Sequence, residues 1–142
     1  MRLNFGIVLS CVSLFFLFLS KINTGSFSYH PPAMKIQNTS LQFLSDLSEN
    51  NNREWFQVNK GRYEAAQENM KQFLKAVESA LGETDHLEGS TLFRIYKDVR
   101  FSKDKLPYKN NFGMGFTRAT KRLRGGYYLH IEPGASFVGG GF

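Results

Sequence analysis

The hydrophobic period changes once along this chain, and that change fixes the class of fold it can adopt. Between Tyr63 and Leu81, apolar side chains recur at steps of three and four residues, which is the spacing of one face of an α-helix. A shorter helix is predicted before it, with Thr39 or Ser40 as the capping residue. The asparagine run at residues 50–52 predicts a turn after that shorter helix, because asparagine tolerates the left-handed backbone conformation and hydrogen-bonds its own main chain.

After an acidic loop at residues 83–89, side chains instead alternate between apolar and polar, as they do along a β-strand. This alternation predicts a strand over residues 92–101. Further strands are predicted over about residues 112–117 and 126–133, which form an antiparallel hairpin, and a last strand starts at Ser136. Helices followed by strands indicate an α+β fold, with the N-terminal helices packed on an antiparallel β-sheet.

Residues 1–33 are unlike the rest of the chain. An apolar run at residues 5–19 is shorter than the roughly 20 residues of a membrane-spanning helix, and its surroundings have the layout of a secretory signal peptide. A second interpretation, which we favour, is that translation starts at Met34 and that an upstream extension precedes it. The first interpretation predicts export or membrane association through residues 1–26, and the second predicts a cytoplasmic protein. In both cases we expect one domain over residues 34–142, without a stable membrane span.

The positive charge of the chain is concentrated in one segment. Residues 94–124 contain ten Lys and Arg but only two Asp, which gives +8 in a chain whose total is +6. Such a segment predicts a surface for phosphate, nucleic acid or another anion, and a solvated basic face is the alternative. The single cysteine, Cys11, lies in the apolar run. Residues 34–142 therefore cannot form a disulfide, a cysteine zinc site or a thiol nucleophile.

Ionisable side chains share one face of the predicted strands. They are Arg94, Tyr96, Asp98 and Arg100 on the first predicted strand, and His130 and Glu132 on the second strand of the hairpin. If these strands are neighbours, the arginines can bind a phosphate bidentately, and His130, Glu132 or Asp98 can serve as an acid or base. The alternative is cross-strand ion pairing, which stabilises a sheet modestly. No metal site is predicted, because the histidines lack a paired ligand spacing.

A predicted loop at residues 102–111 offers a second group of cations. Lys103, Lys105 and Lys109 lie within a stretch of seven residues, and we predict that they clamp an anionic ligand, with solvated lysines as the alternative. The glycines at 113 and 115 form a lone GxG without the third glycine of a dinucleotide site. The sequence therefore identifies no cofactor.

Three separated motifs resemble those of a known family. They are NNNREWF at residues 50–56, FRIYKDVRFSKDKLPYK at residues 93–109 and GYYLHIEPGASFVGGG at residues 126–141. Their order and spacing make the chain from Met34 to Phe142 similar to the DUF2461 family, a domain of unknown function. The resemblance implies that Met34 is the natural first residue and that the chain is the N-terminal half of a longer domain, truncated after its glycine run. It implies no catalytic residue.

Three functions follow from these patterns. The favoured hypothesis is a domain that binds or acts on a small phosphorylated or other anionic ligand through a basic face of the sheet. One alternative is a nucleic-acid-binding module, indicated by aromatic residues interleaved with the basic segment. The other is a structural or interaction domain without catalysis. The sequence assigns neither a substrate nor an oligomeric state, and it leaves open whether the domain is an enzyme.

Overall fold

The computed structural model describes residues 34–100, 105–119 and 125–141. They form three helices followed by four strands: α1 Asn38–Glu49, α2 Arg53–Val58, α3 Lys60–Gly82, β1 Leu87–Leu92, β2 Phe112–Arg118, β3 Gly126–Ile131 and β4 Phe137–Gly141. The strands lie in chain order in one sheet, and each pairing is antiparallel. The predicted α+β class, with helices on an antiparallel sheet, is confirmed. None of the helices described is long and apolar enough to cross a membrane.

The long helix α3 packs its apolar face against α1 and the sheet. Every position of the predicted helical stripe is buried: Tyr63, Ala66, Met70, Phe73, Leu74, Val77 and Leu81. Burying a large apolar side chain contributes about 1.5–3 kcal/mol, so this stripe is a major source of stability. The helical period predicted α3 correctly because its spacing is the spacing of the buried face.

The start of α1 differs from the prediction. Gln37 is the N-cap residue rather than Thr39 or Ser40, and its side chain makes no capping bond. The Ser40 hydroxyl instead donates to Oδ1 of Asn69 at 3.1 Å, and the same oxygen accepts from the Gln37 backbone N–H at 2.9 Å. The start of α1 is therefore held by a buried amide on α3 and not by a local hydroxyl.

The predicted turn at the asparagine run is confirmed, and its residues do more than turn the chain. Oδ1 of Asn52 accepts from the Trp55 backbone N–H at 2.8 Å and so caps α2, a short helix that the sequence did not separate from α3. The side-chain amide of Asn51 bonds both backbone groups of Tyr108, donating to its oxygen at 3.0 Å and accepting from its N–H at 3.1 Å. We call this pair of bonds the Asn51 clamp. It joins the helical layer to the chain that leads into β2.

The strand predicted over residues 92–101 is wrong over residues 93–100, and Phe101 lies outside the described residues. β1 ends at Leu92, and its first three residues, 87–89, lie in the predicted acidic loop. Beyond it the chain leaves the sheet and forms an isolated bridge between Tyr96 and Tyr108. Ile95 is buried, and Lys97 and Val99 are half-buried, while the residues between them are exposed. An extended loop that alternates in exposure outside the sheet thus gave the pattern of a strand.

The two faces of the sheet differ in what they carry. Buried side chains of β2 and β3 face the helices: Phe112, Met114, Phe116, Leu129 and Ile131. Side chains alternate along a strand, so the intervening residues point to the opposite side, which we call the outer face. The predicted β2–β3 hairpin is confirmed, and its register places Gly113 beside His130 and Gly115 beside Tyr128.

Candidate functional site

His130 lies near the end of β3 on the outer face, and it is bonded to Glu132. Nε2 of the imidazole is 2.8 Å from Oε2 of the carboxylate. The His130 side chain is 14% exposed and that of Glu132 is 24% exposed. In the neutral imidazole one ring nitrogen donates and the other accepts. Because a carboxylate can only accept, this bond places the proton on Nε2 and leaves the lone pair on Nδ1.

Glu132 is held in position from two sides. Its second oxygen, Oε1, accepts from the side-chain amide of Asn110 at 2.6 Å. Its own backbone lies in the turn between β3 and β4, where its N–H donates to the Ser136 hydroxyl at 3.0 Å and its carbonyl accepts from that hydroxyl at 2.7 Å. Gly134 makes this turn possible with a φ of +79°, a conformation that glycine adopts without steric cost. The carboxylate is therefore fixed before any ligand arrives.

Tyr128 extends the chain of hydrogen bonds at the other end. Its hydroxyl is 3.3 Å from Nδ1 of His130 and donates to it, since Nδ1 carries the lone pair. The imidazole also stacks on Phe137, with ring centroids 4.7 Å apart and an interplanar angle of 16°. Both ring nitrogens and one ring face of His130 are therefore occupied. The four polar groups, from Asn110 through Glu132 and His130 to Tyr128, form what we call the proton chain.

Two glycines of β2, Gly113 and Gly115, lie on the outer face beside the proton chain and carry no side chain. A Cβ atom on Gly113 would lie 2.7 Å from the Tyr128 hydroxyl and 3.2 Å from Phe93, and a Cβ on Gly115 would lie 3.2 Å from Phe93. The pattern of β2, with large side chains inward and glycine outward, therefore leaves room for two aromatic rings to lie on the sheet. Phe93 and Phe137 are 44% and 49% exposed and flank Tyr128 with centroids 6.1 and 5.9 Å away.

The four candidates predicted on residues 94–100 lie in the irregular loop that follows β1. Arg100 binds Asp98 bidentately, with Nη2–Oδ2 at 2.6 Å and Nε–Oδ1 at 2.9 Å, and these bonds lower the pKa of the Asp98 carboxyl below its ordinary value. Tyr96 is 46% exposed and packs its ring edge-on against Phe56 at 5.8 Å. Arg94 is exposed. Asp98 and His130 thus belong to separate pairs, and the ion pair that forms lies within a loop instead of across strands.

The predicted lysines of the loop have different surroundings. Lys103 lies outside the described residues. Nζ of Lys105 donates to the backbone oxygen of Val99 at 3.2 Å, and Lys105 lines a shallow cleft of about 480 Å³ together with Arg53. Lys109 is half-buried. The cleft joins residues of the first and second motifs, which the Asn51 clamp brings together.

Sequence reasoning identified two members of the proton chain and missed the other two. His130 and Glu132 were paired because they share a parity, and Tyr128 has the same parity, so the same signal was available for it. Asn110 lies 22 residues before Glu132, and no local pattern connects them. Across residues 34–100, 105–119 and 125–141, no group of three His, Cys, Asp or Glu side chains is placed to hold a metal ion.

Comparison with known proteins assigns the chain to a family and gives no closer relative. A family model described as a conserved hypothetical protein, DUF2461, matches residues 39–142. No curated protein and no solved structure matches the chain.

Proposed function

We propose a function for this chain, which belongs to the DUF2461 family of conserved hypothetical proteins, from the outer face of its sheet. That face binds a small anionic ligand of the phosphate or carboxylate class, and His130 exchanges a proton with it. The observation that carries the proposal is the bonding of His130 to Glu132 and of Glu132 to Asn110.

A carboxylate behind an imidazole supports proton exchange in two ways. It fixes the tautomer, so that Nδ1 is the basic atom, and it balances the positive charge when Nδ1 takes up a proton. The amide of Asn110 occupies the second oxygen of Glu132, which keeps the carboxylate turned toward His130. Two side chains that stay less than a quarter exposed also hold this charge where water screens it less than at the open surface.

The anionic class of ligand follows from the charge around the site. Arg94 directly follows Phe93, whose ring lies on the outer face, and Lys109 directly precedes Asn110. Both belong to the segment of residues 94–124 that carries the excess positive charge. Arginine binds phosphate and carboxylate through paired hydrogen bonds, and a basic surface raises the local concentration of an anion. A ligand on the outer face would therefore bind beside this basic segment, to which Asn110, Gly113 and Gly115 belong.

Titration of the full-length chain with inorganic phosphate and with phenyl phosphate tests the proposal. We expect phenyl phosphate to bind more tightly, because its ring can pack against Phe137, and we expect Arg94→Ala or Lys109→Ala to weaken binding by about tenfold or more. Lys75→Ala is the matched control, since Lys75 is exposed on α3 and α3 packs on the other face of the sheet. Absence of binding to the wild-type protein, or equal weakening by Lys75→Ala, would contradict the proposal.

One observation favours nucleic acid as a second candidate ligand. Phe93, Tyr128 and Phe137 form a row of aromatic rings on a sheet face, and unstacked bases pack on such rows in single-strand-binding proteins. This candidate predicts that a short single-stranded RNA binds more tightly than phenyl phosphate, that its affinity falls steeply with salt, and that Phe137→Ala abolishes it. Fluorescence anisotropy at two salt concentrations decides between the two ligands.

A further inference from the structure

We propose that Tyr128 is the catalytic residue that touches the ligand, and that His130 and Glu132 are positioning residues that act through it. This inference rests on the proposed function, since it names the atom through which the proton passes. The ligand is then an oxyacid that still carries a proton, such as a phosphate monoester in its singly charged form.

The surroundings of His130 leave Tyr128 as its route to a ligand. Nε2 is bonded to Glu132, Nδ1 faces the Tyr128 hydroxyl, and one face of the ring stacks on Phe137. A ligand that bonded Nδ1 directly would have to displace the hydroxyl. A ligand that bonded the hydroxyl would join the existing chain without breaking a bond.

The position of the Tyr128 hydroxyl depends on the bare backbone beneath it. A Cβ at Gly113 would lie 2.7 Å from the hydroxyl oxygen and 3.3 Å from Cε2 of the same ring, so any larger residue there would push the phenol off the sheet. The distance from the Tyr128 hydroxyl to Nδ1 is 3.3 Å, slightly longer than the roughly 2.7–3.2 Å of most hydrogen bonds. Hydrogen bonds of this kind tighten when the ligand is in place.

The proton step balances within the chain. The ligand O–H bond breaks as a new bond forms from that proton to the Tyr128 oxygen, and the phenolic proton passes to Nδ1 of His130. The ligand gains one negative charge, and the imidazole becomes an imidazolium whose two N–H groups face Tyr128 and Glu132. The carboxylate of Glu132 balances the new positive charge. The reverse sequence returns the proton, so the same groups can act as an acid.

The test follows the ³¹P chemical shift of phenyl phosphate, free and bound to the full-length protein, as the pH is changed. The free ester loses its second proton near pH 6, and we expect the ester bound to the wild-type protein to lose it about one pH unit lower, a tenfold shift of the equilibrium. Tyr128→Phe keeps the ring between Phe93 and Phe137 but removes the hydroxyl. It should raise the bound midpoint toward that of free ester while weakening binding by less than about tenfold.

His130→Gln should remove the same shift, because the final acceptor of the proton is lost. Tyr127→Phe is the matched control: Tyr127 neighbours Tyr128, but its hydroxyl bonds Asp85 on the other face, so the bound midpoint should stay that of the wild type. If Tyr128→Phe keeps the wild-type midpoint while His130→Gln loses it, His130 meets the ligand directly and this inference is overturned. If the wild-type protein binds no phenyl phosphate, the proposed function fails and the inference fails with it.

Discussion

Gly126 and Gly139 lie on neighbouring strands of one sheet, yet the structure predicts opposite effects for the same substitution at the two positions. A Cβ on Gly126 would lie closer than 3.0 Å to the backbone oxygen of Phe116 and 3.3 Å from its carbonyl carbon. Phe116 belongs to β2, which is paired on both sides, so its backbone cannot move aside without disturbing two ladders. We expect Gly126→Ala to destabilise the protein by about 2–3 kcal/mol, the upper part of the range for overpacking.

Gly139→Ala adds the same methyl group where no atom lies within 4 Å. Its backbone needs no left-handed conformation, so alanine should raise the free energy of unfolding by about 0.5 kcal/mol through the unfolded chain. Gly113→Ala should fall between the two, because its nearest neighbour is a side-chain hydroxyl that can move. The three variants form a graded series on one sheet.

Urea unfolding of the full-length variants, followed by circular dichroism, measures the series. A difference of about 3 kcal/mol between Gly126→Ala and Gly139→Ala exceeds the uncertainty of extrapolation to water for a domain of this size. Equal midpoints for these two variants would refute the reasoning, since both add one methyl group to a strand and differ only in what that group meets.

Two further predictions concern bonds that tie the layers together. Asn51→Ala removes both bonds to the backbone of Tyr108, which is 4% exposed, and leaves its N–H and carbonyl unsatisfied. Urea unfolding should show that the free energy of unfolding falls by about 2–3 kcal/mol. A fall of less than about 0.5 kcal/mol would show that water replaces the clamp. Arg118 and Tyr127 bond Asp85 and hold the pKa of its carboxyl below the ordinary 3.8. The ionised form thus stabilises the fold above pH 3.8 and this contribution is lost as the pH falls through the lowered value. As the pH is lowered, the urea midpoint of Asp85→Asn should therefore fall less steeply than that of the wild type. Equal slopes of urea midpoint against pH in the acid range would contradict this.

The fold was predictable where burial follows a period. α3 and the β2–β3 hairpin satisfy this condition, because each buries one regular stripe of apolar side chains. β1 does not, since its sequence LEGSTL buries no side chain fully and its pairing with β2 decides its conformation. Residues 93–100 mislead in the opposite direction, because an extended loop outside the sheet alternates between the less exposed Ile95, Lys97 and Val99 and the exposed residues between them.

The sequence predicts the site only where its residues alternate along one predicted strand. His130 and Glu132 are two residues apart, so an alternating pattern places them together. Asn110 reaches Glu132 across 22 residues, and Asn51 reaches Tyr108 across 57 residues. The first contact depends on how the β1–β2 connection meets the β3–β4 turn, and the second on how that connection packs on the helical layer. Both are tertiary information that no window of neighbouring residues contains.

The lengths of the connections in this up-and-down sheet set how much chain must be ordered to build each part of it. Five residues, 132–136, join β3 to β4, whereas nineteen, 93–111, join β1 to β2. Loop-closure entropy grows with the logarithm of length, so closing the longer connection costs about 1.2 kcal/mol more. His130 is near the end of β3, and Glu132 is the first residue of the short connection. Bringing the two together therefore requires few other residues to be ordered. Asn110 lies at the end of the long connection. Placing its side-chain amide beside Glu132 therefore costs more conformational entropy than placing the other members of the proton chain.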